Sequence, residues 1–356
     1  MKFEKQREIT LPAGAMGLAV TPDSQTLYAA CMDGQVMEVD VKSGQYAPFA
    51  TKHESYGSGC ALLPDGKTII TAGFDGALIW HDIESKQIIR KVQAHQFWSR
   101  RMALSPDGSL LATVTGQYLA GGERYEPAAE SEPSVKIYDT ETGDLVQSYS
   151  HVPPVLSVAF TPDGQHVAAG NLMGEVRIWG AASEKPVAQF TTPDFTCWGI
   201  IKSPHYVGGI YAMTFAPDGE SLICAGMGPM GDPMAGNGKM TWQRWTWREE
   251  KPKMLGQIHD GEFGFGLMEA VKFTPDGQAF LMAGRQAQGT WNAAVFSAKD
   301  GKLITSVDTK SRVTHGHFSA DGKTLILSAT HGQGYVKDKN KVWAEYGRIH
   351  VVPISA

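Results

Sequence analysis

The sequence predicts an all-β chain folded as a seven-bladed β-propeller, with four antiparallel strands per blade and an N-terminal strand that completes blade 7 and closes the ring. Three observations carry this. First, a Pro-Asp-Gly-like tripeptide recurs at Pro22-Asp23-Ser24, Pro64-Asp65-Gly66, Pro106-Asp107-Gly108, Pro162-Asp163-Gly164, Pro217-Asp218-Gly219, Pro275-Asp276-Gly277 and Ala320-Asp321-Gly322. Second, the copies lie 42, 42, 56, 55, 58 and 45 residues apart, and four short strands repeating at about 40 to 45 residues are the sequence signature of a propeller blade. Third, short apolar runs flank every copy. The tripeptide has the chemistry of a reverse turn between them: Pro presets φ, Asp bonds its own backbone, and Gly accepts positive φ.

The blades follow in order as 12–50, 56–93, 97–150, 154–191, 209–258, 267–307 and 312–356, the last joined by strand 3–11, so 1–356 is read as one domain. Blade 4 shows the unit most plainly, with strands at 155–161, 166–170, 175–179 and 187–191. Blade 7 offers strands at 312–319, 324–328 and 348–353, and then the chain ends. Its fourth strand is therefore expected from residues 3–11, which have nothing else to pair with, so that two open edges are joined.

Composition narrows the function. Hydrophobic residues make up 42% and charged residues 19%, ordinary for a protein with a large core. A net charge of −5 gives no basic field for nucleic acid or anionic lipid. No apolar run of 18 residues suggests membrane insertion, and the first eight residues lack the apolar stretch of a signal peptide. Cys31, Cys60, Cys197 and Cys224 are scattered without CxxC spacing, which fits thiols in a reducing compartment. A cytoplasmic protein is expected, the alternative being an exported one whose leader has been removed.

Over essentially its whole length the chain resembles the WD-repeat family. The stretches Gly170–Trp179 and Asp75-Gly76-Ala77-Leu78-Ile79-Trp80-His81-Asp82 carry the likeness best. The family's buried tetrad of loop His, strand Ser or Thr, turn Asp and strand Trp is matched in blade 2 by His53, Thr71 and Asp75, with His81 at the Trp position. Blade 4 keeps His151 and Trp179 but neither the Asp nor the hydroxyl.

The turns on one face are uniformly short, whereas the extra length falls at 116–133, 192–209, 227–239, 259–267 and 330–347. In a WD-type propeller these longer connections share the opposite face, which makes that face the working one, since long loops on a rigid scaffold are disproportionately functional. Its aromatics Trp98, Tyr118, Tyr125, Trp198, Tyr206, Phe263, Phe265, Trp343 and Tyr346 are of the types enriched in interface cores. The first strand of each blade lines the channel with mostly small residues. Against that background Arg100, Arg101, Tyr211, Glu269, Lys272, His315 and His317 form a channel-mouth site suited to an anionic group or an acidic peptide.

Metal binding by His315 and His317 would need Glu269 or His331 to complete the ligand set, and a hydrogen-bonded role is the favoured reading. The methionines of 227–240 suit adaptable packing better than copper. Trp245 reads as core, whereas Trp242 and Trp247 could form a platform. No nucleophile elbow, P-loop, dinucleotide fingerprint, HExxH or haem-attachment motif occurs. The expectation is a non-enzymatic scaffold without cofactor or metal that binds a protein or peptide, its face also suited to a second copy of the chain. The alternatives are a hydrolase or lactonase using the channel mouth, or a non-catalytic subunit of a redox complex.

Overall fold

The computed structural model describes residues 1–116, 129–180, 183–198, 206–232, 237–332 and 345–355, and only the backbone of 196–198, 206–207 and 230–232. Apart from one 3-10 turn at Pro193–Phe195, the regular structure of the described residues is β. Four sheets are four-stranded antiparallel meanders, such as Ala15–Val20, Thr26–Cys31, Val36–Asp40 and Tyr46–Pro48 in sequence order. This all-β build fits a propeller. The first strands Ala15–Val20, Gly57–Leu62, Ser99–Leu104, Val155–Phe160, Tyr206–Phe215, Phe265–Phe273 and Arg312–Phe318 each lie against the next, and the last lies against the first.

The repeated tripeptides form the expected turns, and a residue outside the motif completes them. In each copy the Asp carboxylate accepts the backbone N–H two residues on, as from Gln25, Ser109 and Gln278. In five copies a preceding Thr or Ser hydroxyl donates to the same carboxylate, at 2.5–2.6 Å, from Thr21, Ser105, Thr161, Thr274 and Ser319. Each of these hydroxyls also accepts an N–H from the strand beyond the turn, so one side chain pins both ends. The turn glycines have φ between 65° and 76°, while Ser24 holds the same position at φ 57°. A side chain in that left-handed region is strained. Ser24→Gly is therefore expected to stabilise the protein by about 0.5–1 kcal/mol, a rise of roughly 1–3 °C in Tm at this size. A scanning-calorimetry trace with a lower Tm would show that Ser24 is not strained.

Every first strand carries a register shift at the same level, which leaves Met16, Ser58, Arg100, Leu156, Tyr211, Glu269 and Thr314 out of the paired ladder. A bulge re-aims the side chain it frees. Hydroxyls near this level stitch neighbouring sheets. Thr314 Oγ1 donates to the Ala15 carbonyl at 2.6 Å, Ser157 Oγ to Ile210 at 2.9 Å, and Ser58 Oγ to Ser99.

The network expected from His53, Thr71 and Asp75 is assembled, and His81 completes it. His53 Nδ1 lies 3.0 Å from Asp75, His53 Nε2 lies 2.9 Å from Thr71 Oγ1, and Thr71 Oγ1 lies 3.0 Å from His81 Nε2. At the chain ends, Arg7–Leu11 pairs antiparallel with Gly347–Ser355, residue by residue from Arg7↔Val351 to Leu11↔Gly347. The segment is in two pieces rather than one, since Lys2–Phe3 pairs separately with Ile354 and Ser355.

Three expectations need correction. Much of 227–239 is strand: Ser221–Asp232 and Asn237–Thr246 form one long hairpin. Gly238 and Lys239 pair with Gly266 and Phe265, merging two units into a nine-stranded sheet. Part of 192–209 is also strand, Thr196–Trp198 pairing with Tyr206–Gly208. Finally, Trp242 and Trp247 form no platform. All three of these tryptophans are buried, at 2%, 8% and 3% exposure for Trp242, Trp245 and Trp247, and Trp247 Nε1 donates to the Gly219 carbonyl.

Candidate functional site

The first strands together line one cavity of about 570 Å³. Most of its wall is small or apolar, as at Ala19, Gly59, Ala159 and Ala212. The polar groups concentrate at the bulges. Glu269, only 2% exposed, has its carboxylate gripped by the Arg312 guanidinium, with Arg312 Nη2 at 2.8 Å, and Arg100 Nη2 lies 3.7 Å from the same carboxylate. Burial alone would raise the Glu269 carboxyl, but Arg312, Arg100 and Arg101 outweigh it and bring it down to about 2. Glu269 is therefore a fixed anion at any ordinary pH.

Arg101 leaves Ser99–Leu104 and reaches strands that are not its neighbours. Its Nη1 lies 2.8 Å from His315 Nε2, and its Nη2 donates to the Glu269 carbonyl at 2.8 Å and the Thr314 carbonyl at 3.3 Å. The side chain thus spans the cavity as a crossbar. Burial lowers its guanidinium to about 10, still charged at neutral pH. Burial and the Arg101 charge hold the His315 imidazole well below its usual range, and therefore neutral.

Lys272 and His317 sit further along their strands, toward the Pro-Asp-Gly turns, and form a second level of the cavity. Burial and Lys272 bring the His317 imidazole down to about 4, and burial lowers the Lys272 ammonium. The seven residues expected at one mouth are thus divided between two levels. The ligand set considered for a metal does not assemble: Glu269 is bound by Arg312, and His331 Nδ1 lies on the Lys310 carbonyl at 3.0 Å. Among the described residues no group of three or more His, Cys, Asp and Glu is placed to hold a metal ion.

Arg100 links the cavity to the loop surface. Its guanidinium lies 5.8 Å from the Phe74 ring and 5.9 Å from the Tyr211 ring, within cation–π range. Phe74 stacks on Trp98 at 4.7 Å, Trp98 on Phe97 at 4.7 Å, and Tyr56 leans on Phe74 at 5.8 Å. Trp98 is 41% and Tyr56 44% exposed, so this aromatic deck faces solvent. It is drawn from three separate connections, at 51–56, 74–76 and 94–98.

The remaining aromatics differ. Phe263 is partly buried, with Lys239 Nζ 4.2 Å from its ring, and meets Phe265 edge-on at 6.2 Å. Tyr346 is a correction: it is buried with Leu11, Cys31 and Ile349, in the core shared by Arg7–Leu11 and Gly347–Ser355. Tyr118, Tyr125 and Trp343 lie outside the described residues, as do the side chains of Trp198 and Tyr206. Sequence reasoning missed Arg312, Tyr56 and Phe74. No spacing in the sequence marked Arg312, because the bulge at Thr314 offsets its alternation by one residue from the later positions of the strand.

Residues 143–180 match the family described as WD domain, G-beta repeat. The match spans Leu145–Tyr149 and the three strands Val155–Phe160, His166–Asn171 and Glu175–Gly180. With the four-stranded antiparallel sheets, it fits a WD40-like β-propeller family. No curated protein matches the chain.

Proposed function

We propose that residues 1–356 form a single seven-bladed, closed ring that acts as a non-enzymatic scaffold, binding a protein or peptide partner through its loop-rich face and channel mouth. The repeat match indicates a kind of fold that generally mediates protein interactions. One observation carries the reading. A deck of exposed Tyr56 and Trp98 around half-buried Phe74 adjoins Arg100, whose guanidinium is already oriented by Glu269, Phe74 and Tyr211. Rigid aromatic and Arg anchors of this kind bind at low entropic cost.

The hydrolase reading gains no such support. It requires a titrating acid or base near neutral pH, whereas Glu269 is locked in an ion pair and His315 and His317 are held neutral down to acid pH. Unpaired Cys31, Cys60 and Cys224 favour a reducing, cytoplasmic setting.

The test is affinity capture from the protein's own host, comparing the natural chain with a Trp98→Ala/Arg100→Ala variant. A stoichiometric partner should be retained by the first and bound about 30-fold more weakly by the second, the loss of a typical hot spot. Equal capture by both would remove the deck from the interface.

A further inference from the structure

We infer that the turn-side level of the cavity is a binding chamber for a small polyanion of the phosphate or polycarboxylate class, with Lys272 and Arg101 as its cationic holders. Arg101 spends its donors on neutral acceptors, the His315 ring and the carbonyls of Glu269 and Thr314. The carboxylate of Glu269, which also lines the cavity, is held by Arg312 and lies 3.7 Å from Arg100. Lys272 projects into the cavity, where its side chain meets solvent, and no hydrogen bond or ion pair to it occurs among the described residues. His317, its neighbour in the wall, is neutral, so it brings an N–H donor without adding charge.

Lys272 and Arg101 therefore face a space that Glu269, Tyr211, His315 and His317 also line, the other lining residues being mostly small or apolar. The volume of about 570 Å³ falls within the range of small-ligand sites. Between such walls water screens charge poorly, and an anion would be drawn to Lys272, which has no counter-charge, and to the Arg101 guanidinium, which shares the single Glu269 carboxylate with Arg312 and Arg100. The crossbar also limits what enters. Arg101 reaches across the cavity to His315 and to the Glu269 carbonyl, which narrows it and favours a compact anion over a threaded chain. Its occupancy does not depend on the partner proposed for the loop face, and each reading can fail alone.

The full chain would be titrated by calorimetry with inorganic phosphate, pyrophosphate and citrate, against sodium chloride at matched ionic strength. At least one probe should bind one-to-one and raise Tm where chloride does not. Preference for the phosphates or for citrate identifies the anionic group. Lys272→Met, which keeps the length of the side chain, should weaken that binding at least about tenfold, as expected for a lost charge-assisted contact. Its Tm in chloride, which should match the parent, reports whether the variant is folded. The assignment is overturned if no probe binds at about 10 mM beyond the chloride control. It is also overturned if a folded Lys272→Met binds as tightly as the parent.

Discussion

Taken from pH 7 to about pH 5, the protein is expected to unfold cooperatively, well above the range in which carboxylates titrate. His81, His95, His151 and His350 are at most 2% exposed. Burial is the main cause that lowers each of them, so that His81 and His350 lie at about 4 and His151 at about 3; His95 moves in the same direction. In the unfolded chain these imidazoles titrate near 6.5. Between roughly pH 6.5 and 4 the unfolded state therefore binds more protons than the folded one, so stability rises with pH there and is lost as pH falls. Each group contributes up to about 1.4 kcal/mol per pH unit, and three together approach about 4, against a total stability of roughly 5–15 kcal/mol. Asp75 works in a lower window. Burial would raise it, but its contacts with His53 bring it to about 2, so its contribution persists above its unfolded value and fades only below about pH 4. Circular dichroism across an acid titration measures the midpoint. A midpoint below about pH 4 would mean that carboxylates alone drive unfolding.

Removal of residues 1–11 should cost most of the remaining stability. Arg7–Leu11 supplies the pairing partner of Gly347–Ser355, and Glu8 holds Arg348 Nε at 2.9 Å. Leu11 is fully buried and Ile9 is 5% exposed, both packed with Leu27, Val39 and Ile349. Loss of either buried side chain costs about 2–5 kcal/mol, and a bare strand edge invites aggregation. The truncated chain is expected to be insoluble or to melt more than 10 °C early, on the order of 2–4 °C per kcal/mol. Leu11→Ala, losing about 2–4 kcal/mol, should remain folded and show the same direction. A truncated chain that melts within about 2 °C of the parent would show that the segment closes nothing.

What could be read from the residues follows from where the information is local. The seven turns were legible because Pro, Asp and Gly act within four residues of one another. The pairing of the first and last strands was legible too, since each lacked any other partner. Even the substituted network was anticipated in part, because His53, Thr71 and Asp75 are typed by chemistry. His81 was placed by spacing at the family's Trp position, and what the spacing did not give is that its imidazole replaces the indole as the partner of Thr71, at 3.0 Å. Gly- and Met-rich 227–239 looked like a loop because it has little strand propensity, yet its residues pair within the hairpin, and Gly238 and Lys239 pair further with Gly266 and Phe265. Arg312 was hidden because it precedes the one-residue bulge at Thr314, so alternation counted from His315 and His317 gives it the wrong face. The aromatic deck was hidden because Tyr56, Phe74 and Trp98 come from three connections, and Phe74 lies in a short one that drew no notice.

The central claim is that a partner docks on the loop-rich face at the mouth guarded by Arg100. Amide hydrogen exchange on the captured complex, compared with the free protein, tests it most directly. Protection confined to the backbone around Tyr56, Phe74 and Trp98–Arg100, with the Pro-Asp-Gly turns unchanged, is the predicted footprint. Protection of those turns with the deck left open would contradict it and make the short-turn face the one that binds.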